Sequence, residues 1–197
     1  MHGNVEKEAK FFVRALKKIE QKVIAMGGQP VQPRILETNL RYDTPNRDLT
    51  NSYQVLRLRQ DSRARLTYKG PADPISTVSA RMEYEVEISD LETGRRILEA
   101  LGYEVAAIYE KYRASYLLES CEISLDEMPF GDFLEIEGPD EAHIQNVSDT
   151  LELKWEYRSP LSYMRLFAQV KTGARWRSEY HTRDQNDQPE QGNPHGM

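Results

Sequence analysis

Glutamates stand two residues apart on strand-like stretches at Glu6/Glu8, Glu83/Glu85 and Glu135/Glu137, and basic residues do so on others at Arg57/Arg59 and Lys111/Arg113. Residues i and i+2 of a β-strand project from one face. Each dyad therefore holds two like charges about 7 Å apart, a repulsion that mixed signs would avoid and that a bound partner relieves. Carboxylate oxygens suit hard cations such as Mg²⁺ or Mn²⁺, which share their coordination shell with phosphate oxygens. Guanidinium groups grip phosphate through paired N–H donors, and lysine adds a point charge. Arg57, Arg59, Arg63, Arg65, Lys69, Lys111 and Arg113 together suit a polyphosphate. The dyads thus predict a metal-assisted polyphosphate site.

Taken singly, any dyad is explained by the solvated face of an antiparallel sheet. Taken together they are not, because the opposite faces are apolar: Leu56 and Leu58; Met82, Tyr84, Val86 and Ile88; Leu134 and Ile136. Apolar faces pack on helices, so the charged faces gather on the other side. In a closed sheet that side is a lumen.

Other chemistries lack their residues. Of four histidines, His2, His181 and His195 lie near the termini and only His143 falls inside the apparent domain, while Cys121 is the single cysteine. A zinc site, a Ser/His/Asp triad or a Cys/His pair would need more. A lone cysteine allows no intrachain disulfide, and with no signal-like apolar start the chain reads as cytoplasmic. A net charge of -6 argues against general nucleic-acid binding. No segment is long and apolar enough to suggest a membrane helix. The 197 residues suit one domain with its own core.

The elements that must position the dyads are read from periodicity. Val5 to Phe12 alternates as a strand, with Val5, Lys7, Ala9 and Phe11 opposite Glu6, Glu8 and Lys10. Leu16, Ile19, Val23 and Met26 then form a helical stripe that Gly27-Gly28 stops. Strands follow near residues 34–43, 53–60, 63–70 and 78–88. Ser89 with Glu92 resembles a capping box for a helix carrying Leu91, Ile97, Leu98 and Leu101, closed by Gly102. Three more strands run near 104–118, 122–126 and 132–137. Pro139 marks the start of a helix with Ile144, Val147 and Leu151 on its stripe, and Ser159-Pro160 begins a short last helix. Residues 1–170 form the expected domain, and the polar composition of 171–197 predicts a disordered tail.

Glu6-Lys7-Glu8-Ala9-Lys10 resembles the ExExK signature of the CYTH superfamily, which groups class IV adenylate cyclases with thiamine triphosphatases and inorganic triphosphatases. The resemblance continues in order through Tyr42-Asp43-Thr44-Pro45, Leu56-Arg57-Leu58-Arg59, Leu66-Thr67-Tyr68-Lys69-Gly70-Pro71, Arg81-Met82-Glu83-Tyr84-Glu85, Glu110-Lys111-Tyr112-Arg113, Leu125-Asp126-Glu127 and Phe133-Leu134-Glu135-Ile136-Glu137. It covers about residues 4 to 168 and lies nearest the class IV adenylate cyclase branch.

The resemblance implies an α+β fold: a closed eight-stranded antiparallel β-barrel, a triphosphate tunnel, with helices packed outside. It implies a metal-dependent enzyme that uses Mg²⁺ or Mn²⁺ on a triphosphate substrate. By matching position, Glu6, Glu8, Glu135 and Glu137 resemble the metal set, with Glu83 and Glu85 beside them. Arg57, Arg59, Lys69, Lys111 and Arg113 resemble the phosphate set. Lys10 either binds phosphate or, with a lowered pKa, acts as base; Asp126 is a metal ligand or an orienting group. Ser162-Tyr163 resembles the family's Ser-Tyr element, but Leu161 precedes it where many members carry a basic residue, and Lys154 and Arg158 are candidate replacements. Three outcomes stay open: cyclisation of ATP to cyclic AMP and pyrophosphate; hydrolysis of inorganic tripolyphosphate or thiamine triphosphate; and binding of polyphosphate or nucleotide without turnover. No nucleic acid or membrane partner is implied, and a homodimer is one assembly left open.

Overall fold

The computed structural model of the protein describes residues 4–73 and 75–171. The tail beyond Lys171 lies outside the described residues. In β1 (Asn4–Val13), Ala9, Phe11 and Val13 are buried, while Glu6, Glu8 and Lys10 line an interior cavity. After it come α1 (Leu16–Ala25), β2 (Gln29–Asp43), α2 (Asp48–Asn51), β3 (Val55–Gln60), β4 (Ala64–Lys69) and β5 (Ser79–Ile88). The second half contains α3 (Leu91–Ala100), β6 (Glu104–Leu118), β7 (Cys121–Met128), β8 (Gly131–Glu137), α4 (Glu141–Thr150), a 3-10 turn at Trp155–Tyr157, and α5 (Tyr163–Lys171).

The strands close into a barrel in the order β1-β5-β4-β3-β2-β6-β7-β8, with every neighbouring pair antiparallel. Closure leaves no unpaired edge. The α+β architecture expected from the sequence is the one observed, with the helices outside. Ile19 and Val23 of α1 and Ile144 and Val147 of α4 pack on the outward Phe11, Ile123, Leu134 and Ile136. Leu91 and Leu98 of α3 cover Leu40, Leu56, Leu58, Leu66 and Ile88. Each fully buried Leu, Ile or Phe contributes about 1.5–3 kcal/mol of apolar transfer, so the outer faces hold the barrel shut and leave the inner faces free to carry charge. Among the described residues no helix is long and apolar enough to cross a membrane.

Several local expectations are corrected. Asp90, not Ser89, caps α3: its side chain accepts the Thr93 N–H at 2.7 Å, so the pair three apart is Asp90/Thr93. Asp140 likewise caps α4, which places Pro139 outside the helix rather than at its first turn. Ser159-Pro160 does not open the last helix; the Ser159 N–H donates to the Lys10 carbonyl at 2.7 Å in an isolated bridge, and α5 begins at Tyr163. β2 begins at Gln29 instead of Arg34, with register irregularities between Pro30 and Ile35 that break the alternation. Gly27 does stop α1: its φ of 89° is left-handed, and Gly28 N–H returns to the Val23 carbonyl at 2.9 Å. The short α2 carries no apolar stripe and was not anticipated.

Candidate functional site: a charged barrel lumen

A cavity of about 1150 Å³ occupies the barrel, lined by inward residues of all eight strands and by Tyr163 of α5. The strand order sorts its charge. Glu83 and Glu85 on β5, Glu6 and Glu8 on β1, Glu135 and Glu137 on β8 and Glu122 on β7 occupy four consecutive strands. Lys69 and Arg65 on β4, Arg57 and Arg59 on β3, Arg41 on β2 and Lys111 and Arg113 on β6 occupy the other four. Dyads far apart in sequence thus become two facing walls.

The acidic wall is partly neutralised by two lysines, Lys69 reaching in from β4 and Lys10 standing on β1 itself. Lys69 Nζ donates to both carboxylate oxygens of Glu6, at 2.6 and 2.5 Å, and lies 3.2 Å from Glu83. Lys10 Nζ lies 2.6 Å from Glu135 and 3.3 Å from Glu8. Burial works against the Lys10 ammonium, but Glu135 and Glu8 more than offset it and raise its pKa far above the ordinary lysine value. That direction is opposite to what a lysine base requires. Burial raises the Glu6 carboxyl, opposed by Lys69 and assisted by Glu83. At the lumen wall, restricted solvation and then Glu6, Glu122 and Glu8 push Glu137 up to about 8, with Lys69 opposing. Among the described residues Glu137 has no ion pair, whereas each other predicted metal carboxylate does.

Glu85 and Glu135 are engaged differently from the rest. Glu85 accepts from Arg59 at 2.7 Å and from Thr67 at 2.8 Å, and Glu135 is held by Lys10 and Arg113. Both carboxyls sit below their usual range: burial opposes this in each case, but Arg59 and Thr67 prevail at Glu85, and Lys10 and Arg113 at Glu135. Among the described residues no three carboxylate, histidine or cysteine side chains are already gathered as a ligand set. The donor set nevertheless fits a hard cation, because Glu6, Glu8, Glu83 and Glu137 offer only carboxylate oxygens to one cavity, and Glu6 and Glu8 add their like charge to the burial that raises Glu137.

Asp126 is fully buried and accepts four hydrogen bonds: Lys111 Nζ at 3.0 Å, Arg113 Nε and Nη2 at 2.6 and 2.5 Å, and Tyr163 OH at 2.6 Å. Of its two expected roles, this arrangement is that of an orienting group. The Tyr163 ring in turn lies under two ammonium groups, Lys10 Nζ at 4.8 Å and Lys111 Nζ at 5.0 Å from its centroid. Leu161 packs with Met128, Phe133 and Leu166 instead of facing the lumen. Neither candidate replacement enters it: Arg158 stacks over Trp155 and donates to the Thr77 carbonyl, and Lys154 lies over Tyr157.

The basic wall retains free donors. The Nε atoms of Arg57, Arg59 and Arg65 are buried without a hydrogen-bond partner among the described residues. Arg57 contacts Thr67 Oγ1 at 3.5 Å. Arg63 departs from the expected set: it lies in the β3–β4 turn, exposed, and pairs with Glu87 at 3.2 Å outside the lumen lining. Sequence reasoning missed Glu37, Arg41, Arg81, Tyr109 and Glu122, all of which line the cavity. Each alternates in phase with other inward residues of its strand, which was the available signal: Glu37 with Asn39 and Arg41, Arg81 with Glu83 and Glu85, Tyr109 with Lys111 and Arg113, and Glu122 with Ser124.

Comparison with known proteins gives the same frame. A family model described as the CYTH domain matches residues 4–164. No curated protein matches the chain. Among solved structures, a candidate adenylate cyclase from Vibrio parahaemolyticus superposes with a TM-score of 0.73 at 24% identity, covering 85% of this chain and 99% of that one. The PH1012 protein of Pyrococcus horikoshii OT3 gives 0.71 at 26% identity over 82% and 98% of the two chains. A Hippeastrum adenylyl cyclase candidate, described as having a dominant triphosphatase activity, gives 0.63 at 21% identity over 89% and 100%. These structural likenesses establish the fold.

Proposed function

The chain belongs to the CYTH domain family, and from that membership we propose that it is a divalent-metal-dependent enzyme acting on triphosphates, resembling class IV adenylate cyclases in converting ATP to cyclic AMP and pyrophosphate. One observation carries the reading: arginines and lysines on four consecutive strands face the glutamates of the other four across a single cavity. A polyphosphate placed between the walls takes charge-assisted bonds from the basic side and shares a cation with the acidic side.

Arg57, Arg59 and Arg65 bind the phosphates from one wall, and Lys111 and Arg113, fixed by Asp126, bind them from the next strand pair. Lys10 acts as a permanently charged phosphate ligand. Glu6, Glu8, Glu83 and Glu137 would hold Mg²⁺ or Mn²⁺, with Glu85 and Glu135 kept in place by their arginines. When bound, the cation neutralises charge on phosphate oxygens. Because Lys69 holds Glu6 and Glu83, it must exchange carboxylate for phosphate as substrate enters, which matches its two possible anionic partners. A cavity of about 1150 Å³ supports a nucleotide-sized substrate.

Hydrolysis of the triphosphate is the second reading, supported by the fold shared with the Hippeastrum protein described as having a dominant triphosphatase activity. Incubating the protein with Mg²⁺ and either ATP or inorganic tripolyphosphate, then resolving products by phosphorus NMR, separates the two. Cyclic AMP with pyrophosphate supports the cyclase; orthophosphate without cyclic AMP rejects it in favour of the triphosphatase.

A further inference from the structure

An acid sits in the middle of the basic wall. Glu37 projects inward from β2, with no exposed surface, and faces its cross-strand partner Lys111 on one side and the Arg59 guanidinium on the other. Its Oε1 accepts from Asn39 Nδ2 at 2.9 Å and lies 3.5 Å from Lys111 Nζ; its Oε2 lies 3.5 Å from Arg59 Nη1. Each of those cations has a second anchor, Asp126 for Lys111 and Glu85 for Arg59. A carboxylate here opposes a bound triphosphate electrostatically, so substrate affinity alone does not account for it.

We propose that Glu37 is a positioning residue for the reaction: by sharing one carboxylate between Arg59 and Lys111 it fixes the separation and aim of the two cations that grip the triphosphate. Without it, guanidinium and ammonium groups on β3 and β6 face each other across β2 with only their outer anchors, and mutual repulsion turns them away from the lumen axis. Burial disfavours the Glu37 carboxylate, but Lys111, Arg113 and Arg59 hold it ionised far below the usual range, consistent with a fixed charge that does not exchange protons during turnover. The inference rests on the triphosphate reading of the lumen.

Glu37→Gln tests it, since the amide keeps the volume and removes the charge. With tripolyphosphate or ATP, whichever the wild type turns over, kcat should fall on the order of tenfold or more while KM stays level or drops. Tripolyphosphate in Mg²⁺ should raise the melting temperature of this variant by more than it raises that of the wild type, because the anion replaces the missing charge between the cations. Glu37→Asp, which keeps charge but withdraws it from both partners, should show an intermediate kcat. A variant that is merely less stable, with wild-type kcat, KM and anion-induced melting shift, overturns the proposal; so does a Glu37→Asp enzyme indistinguishable from wild type, which decides the matter if Glu37→Gln does not fold. Calorimetry on the wild type keeps the two levels apart. Absence of tripolyphosphate binding there would sink the triphosphate reading itself, whereas normal binding with unaffected variants would sink only the role of Glu37.

Discussion

Lys10 shows how far a residue's role depends on what surrounds it. In sequence it is a lysine beside two glutamates, compatible with a base or a phosphate ligand. In the fold it is buried against Glu135 and Glu8, which keep its ammonium charged despite the burial. We therefore expect Lys10→Gln to lower kcat/KM across the neutral to mildly alkaline range without changing the shape of the pH profile. A limb of the profile that disappears in this variant would restore the base. The dyads were legible because two charges two residues apart already define a face. Glu37 was less so: its alternation with Asn39 and Arg41 marks a face, but its cations, Arg59 and Lys111, come from strands 22 and 74 residues away (Arg59, 59 − 37; Lys111, 111 − 37). Arg63 was placed wrongly for the opposite reason: spacing put it on the face of Arg65, but the strand starts only at Ala64.

Among the elements, the loop between β2 and β3 depends on one carboxylate. Asp43 is buried and accepts the N–H groups of Thr44 at 2.8 Å, Leu49 at 3.0 Å and Thr50 at 3.0 Å, and the Thr50 hydroxyl at 2.5 Å. It thereby orders α2 and the entry to β3, whose first inward pair is Val55 and Arg57. Burial acts to raise the Asp43 pKa, but the hydrogen bonds from Thr50, Leu49 and Thr44 prevail and lower it. A lowered carboxyl contributes stability above its unfolded pKa, and that stability is lost as pH falls through the folded value. Asp43→Ala should cost about 2–4 kcal/mol in urea denaturation at neutral pH, with the difference from wild type shrinking in acid. A cost that stays constant into acid would show that the charge of Asp43 plays no part. Strands were legible through their alternation. Caps were less so, because Ser89 and Asp90 are adjacent and both capable, and only the path of the chain into α3 selects the aspartate.

At the scale of the molecule, what the sequence does not contain is strand order. β1 pairs with β5 and β8, partners whose cross-strand residues are more than 70 positions away, so no local pattern reveals that Glu83 and Glu137 flank the same strand. Once the barrel closes, that order gathers acidic dyads on one arc and basic dyads on the other. The resemblance to the CYTH family supplied the barrel in advance; the geometry adds that Lys69, Arg59 and Arg113 pair across the borders between the arcs and that Asp126 and Tyr163 tie α5 to the basic side. The central claim is that these facing arcs form one triphosphate site. Its most direct test is calorimetric titration of inorganic tripolyphosphate, in Mg²⁺, into the wild type and into the Arg57→Ala/Arg59→Ala double variant. We predict one site per chain in the wild type and binding weakened by about 100-fold or more in the variant. No binding to the wild type, or equal binding to both proteins, would contradict the account.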